Sequence, residues 1–122
     1  MSKDIVQILK KHLKDESDVK FAYLFGSYAD GTFSDRSDVD VALYLKETDF
    51  DTQLKINFDL SRLLKKDVDL VVLNKIRNLY LLDDIIQKGI VLKDCDMRID
   101  FELKKHHQIL DYKEFKKSID AA

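Results

Sequence analysis

The feature that most limits this chain is a connection too short for a helix. Residues 19–25, VKFAYLF, form an apolar and aromatic run closed by Gly26. The run is shorter than an ordinary helix and rich in strand-forming side chains, so it reads as a buried strand. Residues 38–45, DVDVALYL, alternate acid and apolar before turning apolar throughout, which reads as a second strand. Only GSYADGTFSDRS lies between them. A parallel pair would need a crossover helix in that space, so the two strands are expected to run antiparallel.

The remaining segments supply the layers around these strands. Residues 3–14 place Ile5, Val6, Ile8, Leu9 and Leu13 along one helical stripe. Asp49 is positioned to cap a helix running through Leu64, with Leu54, Ile56, Phe58, Leu60, Leu63 and Leu64 expected on its buried side. Residues 67–73, DVDLVVL, repeat the strand with an acidic start. Asn78 is expected to cap a helix over 79–88, with Leu79, Leu82, Ile85 and Ile86 on one face, and Gly89 to end it in a left-handed conformation. Ile90-Val91-Leu92 is a short strand, and 97–119 a charged helix with room for an interruption. This order specifies an α/β fold with a small mixed sheet flanked by helices and a C-terminal helix. No linker or repeat divides the chain, so residues 1–122 read as a single domain.

Asp+Glu 23 against Lys+Arg 21, a net charge of −2, leaves no basic surplus to displace the counterions of a nucleic acid. Cys95 is the only cysteine, which excludes an internal disulfide and suits a reducing compartment. No secretory segment and no apolar run of about 18 residues is present, so a soluble, cytoplasmic protein is expected. With three glycines and no proline, the position of each glycine carries weight.

Asp38 and Asp40 are two apart on a strand and share a face, while Val39, Val41 and Leu43 point to the opposite, buried one. Adjacent carboxylates repel, and each raises the pKa of the other unless a positive group stands between them. Mg²⁺ answers that need with oxygen ligands, a few protein carboxylates, and substrate phosphates to complete its shell. An isolated Asp-x-Asp is more often a solvated sheet rim. Here Asp67-Val-Asp69 brings a third strand with acids, and three converging carboxylates hold two ions. Asp67 and Asp69 share the same parity; Asp69 lies one residue deeper and is preferred, with Asp67 as the exposed strand start. Gly26-Ser27 supplies a sharp turn whose N–H groups and hydroxyl suit phosphate, with Gly31 closing it. The Gly-Lys-Ser/Thr of a phosphate loop and the Gly-x-Gly-x-x-Gly of a dinucleotide site are both missing.

Gly26-Ser27, then Asp38-x-Asp40, with a later acidic strand at Asp69, resembles the signature of the polymerase-β-type nucleotidyltransferase superfamily. The small size and the tail resemble its minimal nucleotidyltransferase (MNT) branch, the antitoxin partners of HEPN-domain toxins. The resemblance covers residues 19–92 and continues more loosely over 93–118, at Arg98, Phe101 and LDYKEF. It implies a nucleotidyltransferase core over about residues 19–92 and a helical tail over 96–119. It also implies Mg²⁺-dependent transfer of AMP from ATP to a tyrosine hydroxyl of a partner HEPN ribonuclease, which is neutralised. On that resemblance Gly26 and Ser27 would hold the triphosphate. Asp38 and Asp40 would bind the metals, and Asp69 would complete the metal site and help to activate the acceptor hydroxyl. One departure is Asp30, where relatives often carry a basic residue; Arg36 is the candidate substitute.

The motif and its scaffold occupy most of the chain, which leaves nothing to grip a template or a drug. The acceptor is therefore expected to bring its own binding surface, as a protein partner does, and neither membrane nor direct nucleic-acid binding is expected. Two other functions fit the same residues: an antitoxin that neutralises by stoichiometric binding, and a small-molecule nucleotidyltransferase completed by a second subunit. Other side chains carry less. His106 and His107 diverge by about 100° on a helix and make a poor metal pair. Cys95 has no activating base nearby in sequence. Tyr28 and Tyr44 lie close enough to the acidic stretch for base stacking to be considered.

Overall fold

The computed structural model describes residues 2–121, with side chains over 4–119. Four strands, β1 (Val19–Phe25), β2 (Val39–Leu45), β3 (Val68–Val72) and β4 (Ile90–Lys93), form one sheet in the order β3-β2-β1-β4. β1 is antiparallel to both β2 and β4, and β2 is parallel to β3, so the sheet is mixed. The helices are α1 (Ser2–Lys14), α2 (Ser27–Asp30), α3 (Phe50–Leu64), α4 (Leu79–Lys88) and α5 (Asp96–Ala121), with a 3₁₀ turn over Leu73–Lys75.

Central β1 is covered on both faces, which is why its sequence is apolar without alternation. On one face Ala22 and Leu24, with Val39, Val41 and Leu43 of β2, pack against Leu9 and Leu13 of α1 and Ile56 and Leu60 of α3. On the other, Phe21, Tyr23 and Ala42 lie under Leu82 and Ile85 of α4 and Ile109 of α5. Each fully buried valine, leucine, isoleucine or phenylalanine among these contributes about 1.5–3 kcal/mol of transfer free energy. The helix starts follow the expected chemistry. Asp49 Oδ2 accepts from the Thr52 N–H at 3.0 Å, and Asn78 Oδ1 from the Leu81 N–H at 3.1 Å.

Four expectations are corrected. In α3 only Ile56 and Leu60 are buried, while Leu54, Phe58 and Leu63 are 56%, 57% and 42% exposed. Leu54 and Phe58 each stand two residues from a buried position, about 200° around the helix, so they continue an outer stripe that begins at Phe50. Ile8 likewise sits at the outer edge of the α1 stripe and is exposed. Gly89 is not left-handed: with φ −68 and ψ 153 it passes extended into β4. Its lack of a side chain serves close approach, because a Cβ there would lie 2.4 Å from the Ile85 carbonyl oxygen. Finally, α5 runs without interruption. Its first half is fastened to the sheet by a chain of polar contacts. The Tyr23 hydroxyl donates to Glu102 Oε1 at 2.5 Å, and Arg98 donates to Glu102 at 3.0 Å and to both Asp94 oxygens at 2.7 and 3.1 Å. Burial, with the Glu102 carboxylate beside it, pushes the Tyr23 phenol well up. Phe101 packs against Phe21 and Tyr44 at ring distances of 5.4 and 5.6 Å.

Candidate active site

The end of β1 and the start of β2 meet at one point. Phe25 pairs with Asp40, and the next residue, Gly26, turns back with φ 72 and ψ −151. Side-chain-bearing residues almost never adopt that conformation. Gly26 also lies directly against the carboxylate, since a Cβ there would fall 2.1 Å from Asp40 Oδ2. A single helical turn, α2, follows. The Gly31 N–H closes it on the Ser27 carbonyl at 3.0 Å, with Gly31 left-handed as expected. Tyr28 is buried and stacks on Phe33 at 4.5 Å, which pins the turn to the core. Asp30 accepts from the Thr32 hydroxyl at 2.6 Å and the Thr32 N–H at 2.9 Å, and these bonds hold its carboxyl below the usual range. Asp30 therefore stabilises the turn.

The parallel β2–β3 ladder sets Asp40 opposite Asp69. One residue earlier the Val39 N–H donates to the Asp67 carbonyl at 3.0 Å. Val39, Val41 and Leu43 are fully buried on the far face, so Asp38 and Asp40 share the near one. Asp40 has its carboxyl pushed up, first by burial, then by Asp69, then by Asp38. Asp67 does not contribute to that shift; it opens instead on a cleft at the end of α3. No lysine, arginine or histidine forms a salt bridge with Asp38, Asp40 or Asp69 among the described residues. Nor do three ligating side chains among the described residues already enclose one ion position. The fit to a divalent cation lies in the donor set, oxygen acids gathered around Asp40 with no ion-paired protein cation among the described residues.

That raised value has a measurable consequence. The folded chain holds a proton on Asp40 more readily than the unfolded chain, so ionised Asp40 costs stability above its folded pKa. The cost is relieved as pH falls towards the ordinary carboxylate range. In chelator at neutral pH, Asp40→Asn is therefore expected to melt above wild type by a few degrees. The gap should close on acidification, and Mg²⁺ at neutral pH should close it by stabilising wild type alone. A gap independent of both pH and Mg²⁺ would remove the electrostatic account.

Charged groups flank the carboxylates on two sides. Lys88, at the end of α4 and 3.4 Å from Asp84, lines a cavity of about 70 Å³ together with Gly26 and Asp30. It brings a cation to the turn where Asp30 stands, and its distance along the chain gave no sign of this. On the other side a cleft of about 660 Å³ is bounded by Asp38 and Asp67 and by Arg36, Arg62, Lys65 and Lys66. Arg36 thus lines the Asp38 side of the site and is not among the residues of the Gly26 cavity. The one available signal for the other three was their basic cluster just before Asp67. Tyr44 stacks on Phe21 at 4.9 Å, so its ring and the buried Tyr28 ring serve the core. His106 and His107 are exposed on α5, and Cys95 is half-buried.

Residues 5–98 match the family described as "Polymerase beta, Nucleotidyltransferase". The chain belongs to the polymerase-β-type nucleotidyltransferase family. Two Methanocaldococcus jannaschii proteins, both provisionally named protein adenylyltransferases, are among its relatives. One is 39% identical over 80 residues, 65% of this chain and 82% of that protein. The second is 37% identical over 83 residues, 63% of this chain and 83% of that protein. A chain of a toxin–antitoxin crystal structure with AMP-PNP superposes with a TM-score of 0.79 at 25% identity, covering 95% of each chain. A Shewanella oneidensis complex of a tri-AMPylated HEPN toxin with an MNT antitoxin gives 0.74 at 22% identity, over 99% of this chain and 97% of that one. That likeness establishes the fold, and it extends through the helical tail. The nucleotidyltransferase scaffold is therefore adenylyltransferase-like, built as MNT antitoxins are. No described helix is long and apolar enough to cross a membrane.

Proposed function

We propose that this chain transfers AMP from ATP to a tyrosine hydroxyl of a HEPN-domain ribonuclease partner and so neutralises it. The observation that carries the reading is the register that sets Asp69 opposite Asp40, with Asp38 beside them and Gly26 against the Asp40 carboxylate. Asp38, Asp40 and Asp69 would hold Mg²⁺, whose chemistry is to neutralise charge on the phosphates and favour an oxygen nucleophile. Gly26 and Ser27 position the triphosphate. Asp69, on the flank away from the glycine turn, takes the proton of the incoming hydroxyl. The tyrosine oxygen bonds to the α-phosphorus as the bond to the bridging oxygen breaks, and pyrophosphate leaves.

Asp69→Asn against Asp67→Asn tests the assignment of that flank. Purified chain, partner, ATP and Mg²⁺ should show transfer reduced about a hundredfold or more for Asp69→Asn, the scale of a lost general base. Asp67→Asn should lose far less, and peptide mapping should place the AMP on tyrosine. Equal losses, the reverse order, or AMP on another residue type would each contradict the reading.

A second reading, neutralisation by binding alone, draws on the outer part of α5. Leu103, Leu110, Phe115 and Ile119 are 59%, 48%, 63% and 57% exposed there, more apolar surface than an unpartnered helix would ordinarily show. Binding and transfer are compatible; the carboxylate cluster is the part that binding alone would not require.

A further inference from the structure

The outer face of α3 is apolar although its inner face already carries the core contacts of Ile56 and Leu60. Phe50, Leu54 and Phe58 stand four residues apart and so line one stripe, and they are 73%, 56% and 57% exposed. A contiguous exposed stripe of two phenylalanines and a leucine marks an interaction surface.

The two flanks of the stripe are unlike, and the difference identifies the occupant. One flank is uncharged and engaged with the body of the fold. Asn57 donates to the Val68 carbonyl at 3.1 Å, and the Ser61 hydroxyl donates to Asn57 at 3.2 Å. The other flank is a charged row. Asp51, Lys55 and Asp59 each follow a stripe residue by one position, and Arg62 continues the row a turn later, over the edge of the Phe58 ring at 5.6 Å from its centroid. From the start of the helix to its end the signs run minus, plus, minus, plus. A row of that order is complemented by a reversed copy of itself, whereas a parallel copy in register sets like charge on like.

We propose that this face pairs α3 with α3 of a second copy of this chain, antiparallel and two-fold symmetric. In such a pair the same flank of each helix meets that of the other, and every contact is made twice. The register that lays Leu54 on Phe58 of the second copy also brings Asp51 to Arg62 and Lys55 to Asp59, to within about one residue of rise. α3 has 15 residues, about 22 Å of helix, so the seam is smaller than a standard interface. The pair is therefore weak, with a Kd of about 10–100 µM. Phe58 and Arg62 also line the cleft beside Asp38 and Asp67, so pairing brings the start of the second copy's α3 to that opening. The pairing does not depend on the transfer chemistry.

Sedimentation of the purified chain alone, from about 5 to 500 µM, tests this. Wild type should pass from monomer to dimer over that range. Leu54→Lys, at an exposed position on the stripe, should stay monomeric, at least about tenfold weaker, with an unchanged melt at low concentration. Asp51→Arg and Arg62→Glu alone should each weaken the dimer about tenfold, because each turns two attractive contacts into repulsive ones. Together in one chain they should restore it to within about threefold of wild type, since the reversed charges again complement each other. Melts at low concentration separate this from any cost of placing those charges against the helix dipole. A wild type that stays monomeric throughout, or a dimer that survives Leu54→Lys, overturns the pairing. A combined variant no better than either single one overturns the antiparallel register. A chain that is monomeric alone, and whose Leu54→Lys form loses a co-purified acceptor protein, gives the stripe to that acceptor instead.

Discussion

Asp38→Ala/Asp40→Ala is expected to lower AMP transfer by at least about a thousandfold, because bound metal supplies several kcal/mol of charge stabilisation and each 1.36 kcal/mol is tenfold in rate. The same change should leave the fold standing. Asp38 is exposed and Asp40 half-buried, and neither forms a salt bridge among the described residues. Asp40 is held unfavourably by burial and by its two acidic neighbours. In chelator the double variant should therefore melt at or above the wild-type temperature, and Mg²⁺ should no longer raise it. Ordinary active-site damage would lower activity and stability together. Loss of transfer with retained or increased stability is the pattern that identifies a cluster kept for a ligand. A double variant that still transfers AMP would show that the carboxylates are not where metal acts.

Gly26→Ala should damage the site through the backbone. The residue has φ 72 and ψ −151, and its added methyl group would meet Asp40 Oδ2 at 2.1 Å. Conformational strain of this kind costs about 1–3 kcal/mol. Relief of the clash requires Asp40 to move, and displacement of about 1 Å in a catalytic group costs about a hundredfold in rate. Gly31→Ala is the internal control. Gly31 is also left-handed, at φ 85, but a Cβ there meets nothing within 4 Å. It should lose about 1 kcal/mol of stability with transfer largely kept. Denaturant melts and transfer rates of the two variants separate strain from contact: similar rates in both would mean that the Gly26–Asp40 approach has no functional weight.

The sheet was legible because its strands are read from composition over short windows. VKFAYLF is apolar throughout since β1 is covered on both faces, and the short link to β2 left only the antiparallel arrangement. The caps at Asp49 and Asn78 were legible for the same local reason. What failed depended on distant partners. The buried side of α3 was overcounted because Leu54 and Phe58 are as apolar as Ile56 and Leu60, and only the position of the sheet tells the stripes apart. The apolar residues of α5 are spread around the helix, and its anchor, Tyr23 to Glu102, joins residues 79 apart in sequence. The carboxylate face followed from strand parity, and the Asp40–Asp69 register from a structure that sequence spacing could only suggest. Lys88 beside the glycine turn and the cations at the end of α3 come from helices that reach the site through the fold.

The most direct measurement is the intact mass of a HEPN-domain partner co-purified with this chain, wild type against Asp38→Ala/Asp40→Ala. AMP-sized increments on the partner with wild type, absent with the variant although the complex still forms, are the predicted result. A partner that binds both forms equally and carries no added mass with either would contradict the transferase account and leave a binding antitoxin.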